Sequence, residues 1–222
     1  MSRDWAIEPT SRDIPIDLEH AALLMIDVQN YGVDPKGGSF AKLGERELDD
    51  ANRFLNLVHA AILPKQARLL RACRDADVEV IYTVIENLTL DGRDRSLDYK
   101  ISGIDVLKGS WDAKVPDIVA PLADEIVIPK TSSSVFISTN IDYLLRNLRI
   151  RSLVIAGFLT DQCVDSAVRD ACDLGYLVTL ITDACATHTR ERHEASLRNN
   201  RGYCRQITTE ELVAEVERLS VG

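Results

Sequence analysis

Val154-Ile155-Ala156-Gly157-Phe158-Leu159-Thr160-Asp161-Gln162-Cys163-Val164 reads as the end of a buried strand turning into a helix. An aliphatic run stops at a glycine, a short polar turn follows, and Cys163 opens a segment with helical periodicity. Working outward, further aliphatic runs occupy residues 21–28, 78–84, 125–129 and 176–182, with a weaker one at 203–207. They are continuous Val/Ile/Leu runs rather than alternating ones, as expected for strands covered by helices on both faces. Between them the periodicity predicts helices near 46–62, 64–75, 139–147, 163–174, 190–199 and 209–219. Pro64 suits a first helical position, Gly175 a helix stop, and Thr208-x-x-Glu211 a capping box. Strand–helix alternation of this kind predicts a three-layer α/β/α sandwich around a mostly parallel, roughly six-stranded sheet.

Two other charged residues end aliphatic runs as Cys163 does. Leu23-Leu24-Met25-Ile26 runs into Asp27, and Ile126-Val127-Ile128-Pro129 into Lys130. Strand carboxyl ends converge on one crevice in a parallel sheet, and ligands bind there. An acid, a base and a thiol on three such ends are the parts of a cysteine hydrolase. The thiol attacks a carbonyl, and the acid first takes and then returns a proton. The helix N-terminus and the Lys130 ammonium are expected to favour the thiolate. No histidine has a comparable position.

The totals exclude other classes. With 222 residues, 26 Lys+Arg and 35 Asp+Glu, the chain carries a net charge of −9. Such acidity disfavours binding to nucleic acid or to an anionic membrane surface. No apolar run approaches the roughly 20 residues that span a bilayer. The first twenty residues lack the apolar centre of a signal peptide, so a cytoplasmic location is expected. Five cysteines without C-x-x-C or Cys/His zinc spacing argue against a structural zinc and a disulfide framework. Cys73 and Cys172 sit among aliphatic neighbours in predicted helices and are expected in the core. His188 and His193, five apart, do not share a helical face, and they read as a solvated helix start rather than a metal pair. One domain over 1–222 accommodates all of this. It comprises an N-terminal extension at 1–19 and, at 86–115, a long polar connection of the kind that forms active-site loops or lids.

Three blocks carry a family resemblance. Leu24-Met25-Ile26-Asp27-Val28-Gln29-Asn30, then Ile128-Pro129-Lys130 with Ser134-Val135-Phe136, then Gly157-Phe158-Leu159-Thr160-Asp161-Gln162-Cys163-Val164 resemble the signatures of the isochorismatase-like cysteine hydrolases, in order and spacing. The resemblance runs from about residue 20 to the C-terminus. It implies a catalytic triad of Asp27, Lys130 and Cys163, a non-proline cis peptide at Phe158–Leu159, and an oxyanion hole from the backbone amides of Leu159 and Cys163. It also implies a homo-oligomer, dimeric or tetrameric.

Departures from the family's patterns sort its chemistries. Isochorismatases proper cleave a vinyl ether and lack the cysteine. Nicotinamidases bind a metal through an Asp and several His after the second strand, and here residues 86–111 contain no histidine. The amidohydrolase branch remains, acting without metal or other cofactor on amide, ureido or carbamoyl C–N bonds of small molecules. Lys108-Gly109-Ser110-Trp111-Asp112 is similar to a segment of the ureidoacrylate amidohydrolases. An ether hydrolase and a non-catalytic binding protein are the alternatives.

Substrate contacts are expected from six residues. Gln29 and Asn30 follow the acid and are placed to orient substrate or water, or equally to make surface hydrogen bonds. Glu86 and Asn87 leave the second strand where an amino or ureido group would be recognised. Trp111 and Phe136 are candidates for pocket walls, with core packing or a subunit contact as the other reading.

Overall fold

The computed structural model describes residues 11–41 and 43–221. Six strands, β1 (Ala21–Ile26), β2 (Glu79–Ile85), β3 (Ile126–Lys130), β4 (Ser152–Phe158), β5 (Leu177–Ala186) and β6 (Arg205–Ile207), form one sheet in the order β3-β2-β1-β4-β5-β6. Every neighbouring pair is parallel. The three-layer α/β expectation is therefore met, with a wholly parallel sheet. The aliphatic runs of β1 and β4 are central and buried at every position, which is why they do not alternate.

The helices are α1 (Asn30–Val33), α2 (Glu45–Leu57), α3 (Leu63–Asp75), α4 (Leu97–Ser102), α5 (Val135–Ser138), α6 (Ile141–Asn147), α7 (Cys163–Asp173), α8 (Arg190–Asn200) and α9 (Thr209–Ser220). α3 packs with α9 against β2 and β5, while α7 lies against β4 and β5 with α5 and α8 beside it. α1, α4 and α5 are short and were not anticipated from periodicity. Each has too few turns for a repeating apolar stripe to show.

Pro64 falls in the first turn of α3, as its second residue. α2 and α3 are joined by a π-helical segment, Val58–Ile62, in which the Leu63 N–H donates to the Val58 carbonyl. A wider turn accommodates a proline that has no N–H and whose ring crowds the preceding turn. The other two punctuation marks hold as well. Gly175, at φ +93°, follows α7, and Thr208 and Glu211 form the capping box of α9.

Residues 1–10 of the expected extension lie outside the described residues. Its later part is tied down, since the Ile16 N–H donates to Glu215 Oε1 at 3.0 Å. Arg205 pairs with the same carboxylate and donates to the Ile14 carbonyl, joining this segment to β6 and α9.

The strand order reverses between β1 and β4, so a crevice opens above their carboxyl ends. Gly157, at φ +131°, closes the approach of these two strands. A Cβ there would stand 2.1 Å from the Ile26 carbonyl oxygen, a distance no side chain tolerates.

Candidate active site

Register brings the three strand-end residues together. Ile26 is opposite Thr83 and Gly157, and Ile85 is opposite Lys130. Asp27 follows β1 at φ +51°, a left-handed conformation that Asp tolerates better than most residues. Its N–H donates to the Thr83 carbonyl at 3.0 Å, and Thr83 Oγ1 donates to Asp27 Oδ1 at 2.8 Å. Lys130 Nζ lies 2.9 Å from Asp27 Oδ2 and 3.4 Å from Cys163 Sγ. It also donates to the Ser132 carbonyl at 2.8 Å and to Tyr99 Oη at 3.0 Å. The Asp27 Oδ2 contact is an ion pair without hydrogen-bond alignment, so this oxygen keeps a lone pair for a proton.

Lys130 is wholly buried and Cys163 is 5% exposed. Burial works against the Lys130 ammonium, but the Asp27 carboxylate, with Cys163 and Tyr99 beside it, outweighs burial and raises its pKa. Cys163 goes against expectation. Burial pushes its thiol up to about 11 despite the pull of Lys130, and the negative charge of Asp27 adds to the rise. At neutral pH Cys163 is held as a thiol. Desolvation outweighs the ammonium, because the charged form is what burial penalises.

Tyr99, from α4, is the participant that the sequence reading missed. Its hydroxyl accepts from Lys130 and lies 3.8 Å from Cys163 Sγ, with the side chain 1% exposed. An ammonium only donates, so the Tyr99 proton is left to point at sulfur. Burial raises the Tyr99 pKa and keeps the hydroxyl protonated. A lone tyrosine in a polar connection carries no sequence signal of this role.

The Phe158–Leu159 peptide bond is cis, at the position the resemblance implies. Neither the Leu159 nor the Cys163 N–H donates to a described backbone group.

A cavity of about 540 Å³ opens over Cys163. Asp27, Gln29, Tyr99, Leu159 and Cys163 line it, together with His188, which packs on Phe54 with ring centroids 5.2 Å apart. His188, exposed just ahead of α8, edges the cavity, and His193, half-buried in the first turns of α8, is bonded to Thr160 Oγ1 at 2.8 Å. Cys73 is in the core as expected, whereas Cys172 is only partly buried. α7 turns it toward the margin of the layer.

Of the six expected substrate contacts, Gln29 lines the cavity. Its amide is already engaged, donating to the Ile85 and Asp112 carbonyls and accepting from the Ile85 N–H. The other five are not among the lining residues. Asn30 donates to the Trp111 carbonyl at 3.0 Å, Glu86 accepts from the Gly109 N–H at 2.6 Å, and Asn87 donates to Asp105 at 2.8 Å. These bonds fold the 86–115 connection onto the strand ends. Trp111 is 45% exposed, and Phe136 packs against Tyr176 with centroids 6.1 Å apart. The connection reaches the cavity through α4 instead, by Asp98, Tyr99 and Ser102, and by Ile104 beyond it.

Residues 21–211 match the model of the Isochorismatase domain. The chain belongs to the isochorismatase family. It is 29% identical over 201 residues to a ureidoacrylate amidohydrolase, RutB, of Rhizobium rhizogenes, covering 82% of this chain and 77% of that one. It is 32% identical over 185 residues to a protein of Arabidopsis thaliana named a probable inactive nicotinamidase, covering 80% and 86%. Among solved structures, a cysteine hydrolase from Pseudomonas syringae superposes with a TM-score of 0.79 at 23% identity, covering 92% of this chain and 96% of that one.

Proposed function

We propose that the protein is a cysteine hydrolase of C–N bonds in small amide, ureido or carbamoyl compounds, with Asp27, Lys130 and Cys163 as its catalytic residues. One observation carries this reading. A single buried ammonium touches both a carboxylate with a free lone pair and a cysteine sulfur, and the latter two line an open cavity. The name of the amidohydrolase relative supports the bond class.

Cys163 Sγ attacks the substrate carbonyl carbon while its proton passes to Asp27 Oδ2. The C–S bond forms, and the carbonyl π electrons move to oxygen. The N–H groups of Leu159 and Cys163 are placed to receive that oxyanion. Collapse breaks the C–N bond, and Asp27 returns its proton to the leaving nitrogen. Water then attacks the thioester or thiocarbamate, giving one proton to Asp27, and sulfur leaves to be reprotonated there. Lys130 stabilises the carboxylate before transfer and the sulfur anion after it. Tyr99 donates to that sulfur. No step uses a metal, and among the described residues no three His, Cys, Asp or Glu gather as a metal site.

The test is ammonia release from a panel of ureas, carbamoyl amino acids, linear amides and nicotinamide, with Cys163→Ala in parallel and EDTA in duplicate. Release that is EDTA-insensitive and absent from Cys163→Ala is the expected result. Release surviving in Cys163→Ala overturns the nucleophile. The relative named inactive favours a second reading, a binding protein on this fold. That reading expects ligand affinity in Cys163→Ala with no turnover by the native chain.

A homo-oligomer in the cytoplasm completes the proposal. Leu90, Leu97 and Ile101 of the 86–115 connection are 73–86% exposed, which supports a covered surface in an assembly. Light scattering on the purified protein checks it. Among the described residues no helix is long and apolar enough to cross a membrane.

A further inference from the structure

The charges of the cavity restrict what it admits. Asp27 is matched by Lys130. Tyr31, on the wall, has its pKa raised by burial and then by Asp112 and Asp105, so it stays neutral. His188 has its pKa lowered by burial and then by Arg192, and it too is neutral at pH 7. One wall charge remains. Asp98 lines the cavity one residue before Tyr99 and has no hydrogen bond or ion pair with any described residue.

No Lys or Arg is among the described residues that line this space. Lys130 is wholly buried behind it, its protons are directed at Ser132, Tyr99 and Cys163, and its charge is matched by Asp27. A substrate carboxylate would find no cation here and would face Asp98. A substrate cation would find Asp98 together with the aromatic side chains of Tyr31, Phe54 and Phe158, and aromatic rings attract cations.

We infer that the substrate is an amide or ureide bearing a positive charge and no carboxylate, with Asp98 as its counter-ion. This rests on the hydrolase reading above for the bond that is cleaved. It sets the chain apart from its ureidoacrylate relative, whose named substrate is a carboxylate.

The test compares 4-aminobutylurea, butylurea and 4-ureidobutyrate, which share a skeleton and differ in terminal charge. The expected order of kcat/KM is ammonium, then neutral, then carboxylate, and Asp98→Asn narrows the spread by about threefold or more. A second measurement needs no turnover. Cys163 is labelled with cationic trimethylammonioethyl and anionic sulfonatoethyl methanethiosulfonate, each rate being normalised to a free thiol and read on the Cys163 peptide. A normalised excess for the cation that shrinks in Asp98→Asn supports the inference. An anion equal to or faster than the cation overturns it, as does the absence of labelling by either. If labelling favours the cation while none of the three ureas is cleaved, the charge preference stands and the ureido form of the hydrolase reading fails.

Discussion

Lys130 Nζ and Asp27 Oδ2 stand 2.9 Å apart, and neither side chain is more than 5% exposed. A pair buried this deeply gives little stability for its desolvation, because each ion loses its water. On the hydrolase reading proposed above, its role is chemical. Removing one member is far worse than removing both. Lys130→Met is expected to destabilise the fold by about 3–5 kcal/mol, since it strands the Asp27 carboxylate. The double variant Lys130→Met/Asp27→Asn is expected to cost less than Lys130→Met alone. Urea unfolding of the three proteins checks this.

Tyr99→Phe removes the only hydroxyl among the described residues that touches both Lys130 and Cys163. The expected loss is about tenfold in kcat/KM, with a stability change of about 1 kcal/mol, the value of one hydrogen bond. A purely structural tyrosine would not alter sulfur ionisation. The pH profile of Cys163 alkylation by iodoacetamide decides between them, and it is expected to move further alkaline in Tyr99→Phe.

Alkaline pH should unfold this chain through its buried thiols. Burial pushes Cys163 and Cys204 up to about 11, and Cys73 and Cys185 up to about 12, from an ordinary value of 9.0. Above pH 9 the unfolded chain releases protons that the folded chain still holds, so rising pH favours unfolding. The stability contribution is complete below pH 9 and is lost as pH climbs through 11 and 12. The guanidinium midpoint is expected to fall steadily across that interval and to be insensitive to these groups below it.

Gly157→Ala meets the Ile26 carbonyl oxygen at 2.1 Å and the Ile26 nitrogen at 2.7 Å, in a conformation that L residues rarely adopt. A loss of about 3 kcal/mol or more is expected, because backbone must move. Gly103→Ala is the control, with φ +71° and open space around the added carbon. It should cost about 1 kcal/mol. Thermal melts of the two variants separate crowding from backbone preference.

The sheet and the Asp27, Lys130 and Cys163 positions were readable because continuous aliphatic runs announce buried parallel strands, and a charged residue ending such a run has one place to go. The protonation state of Cys163 was not readable. The Lys130 ammonium is visible in sequence, but the burial that outweighs it depends on how α4 closes over the sulfur. Gln29, Asn30, Glu86 and Asn87 were placed near the strand ends, as they are. Their polar atoms are engaged by the 86–115 connection and by Ile85 at the end of β2, partners 18 to 83 residues away that leave no periodic trace. Asp98 and Tyr99 were hidden for the same reason, since two residues of a six-residue helix form no pattern.

Asp98 and Tyr99 are neighbours on α4, yet one edges the cavity and the other reaches the sulfur. On the proposed reading, discrimination between ligands and the tuning of Cys163 share a single short carrier. A deletion or insertion ahead of Ser96, the residue that caps this helix, would displace both at once. Divergence on this scaffold would then proceed by wholesale exchange of the connection rather than by stepwise retouching of one wall. A chimera intended to inherit a relative's selectivity must take the segment complete, from the strand end to Lys114, whose carbonyl holds the Asn30 N–H.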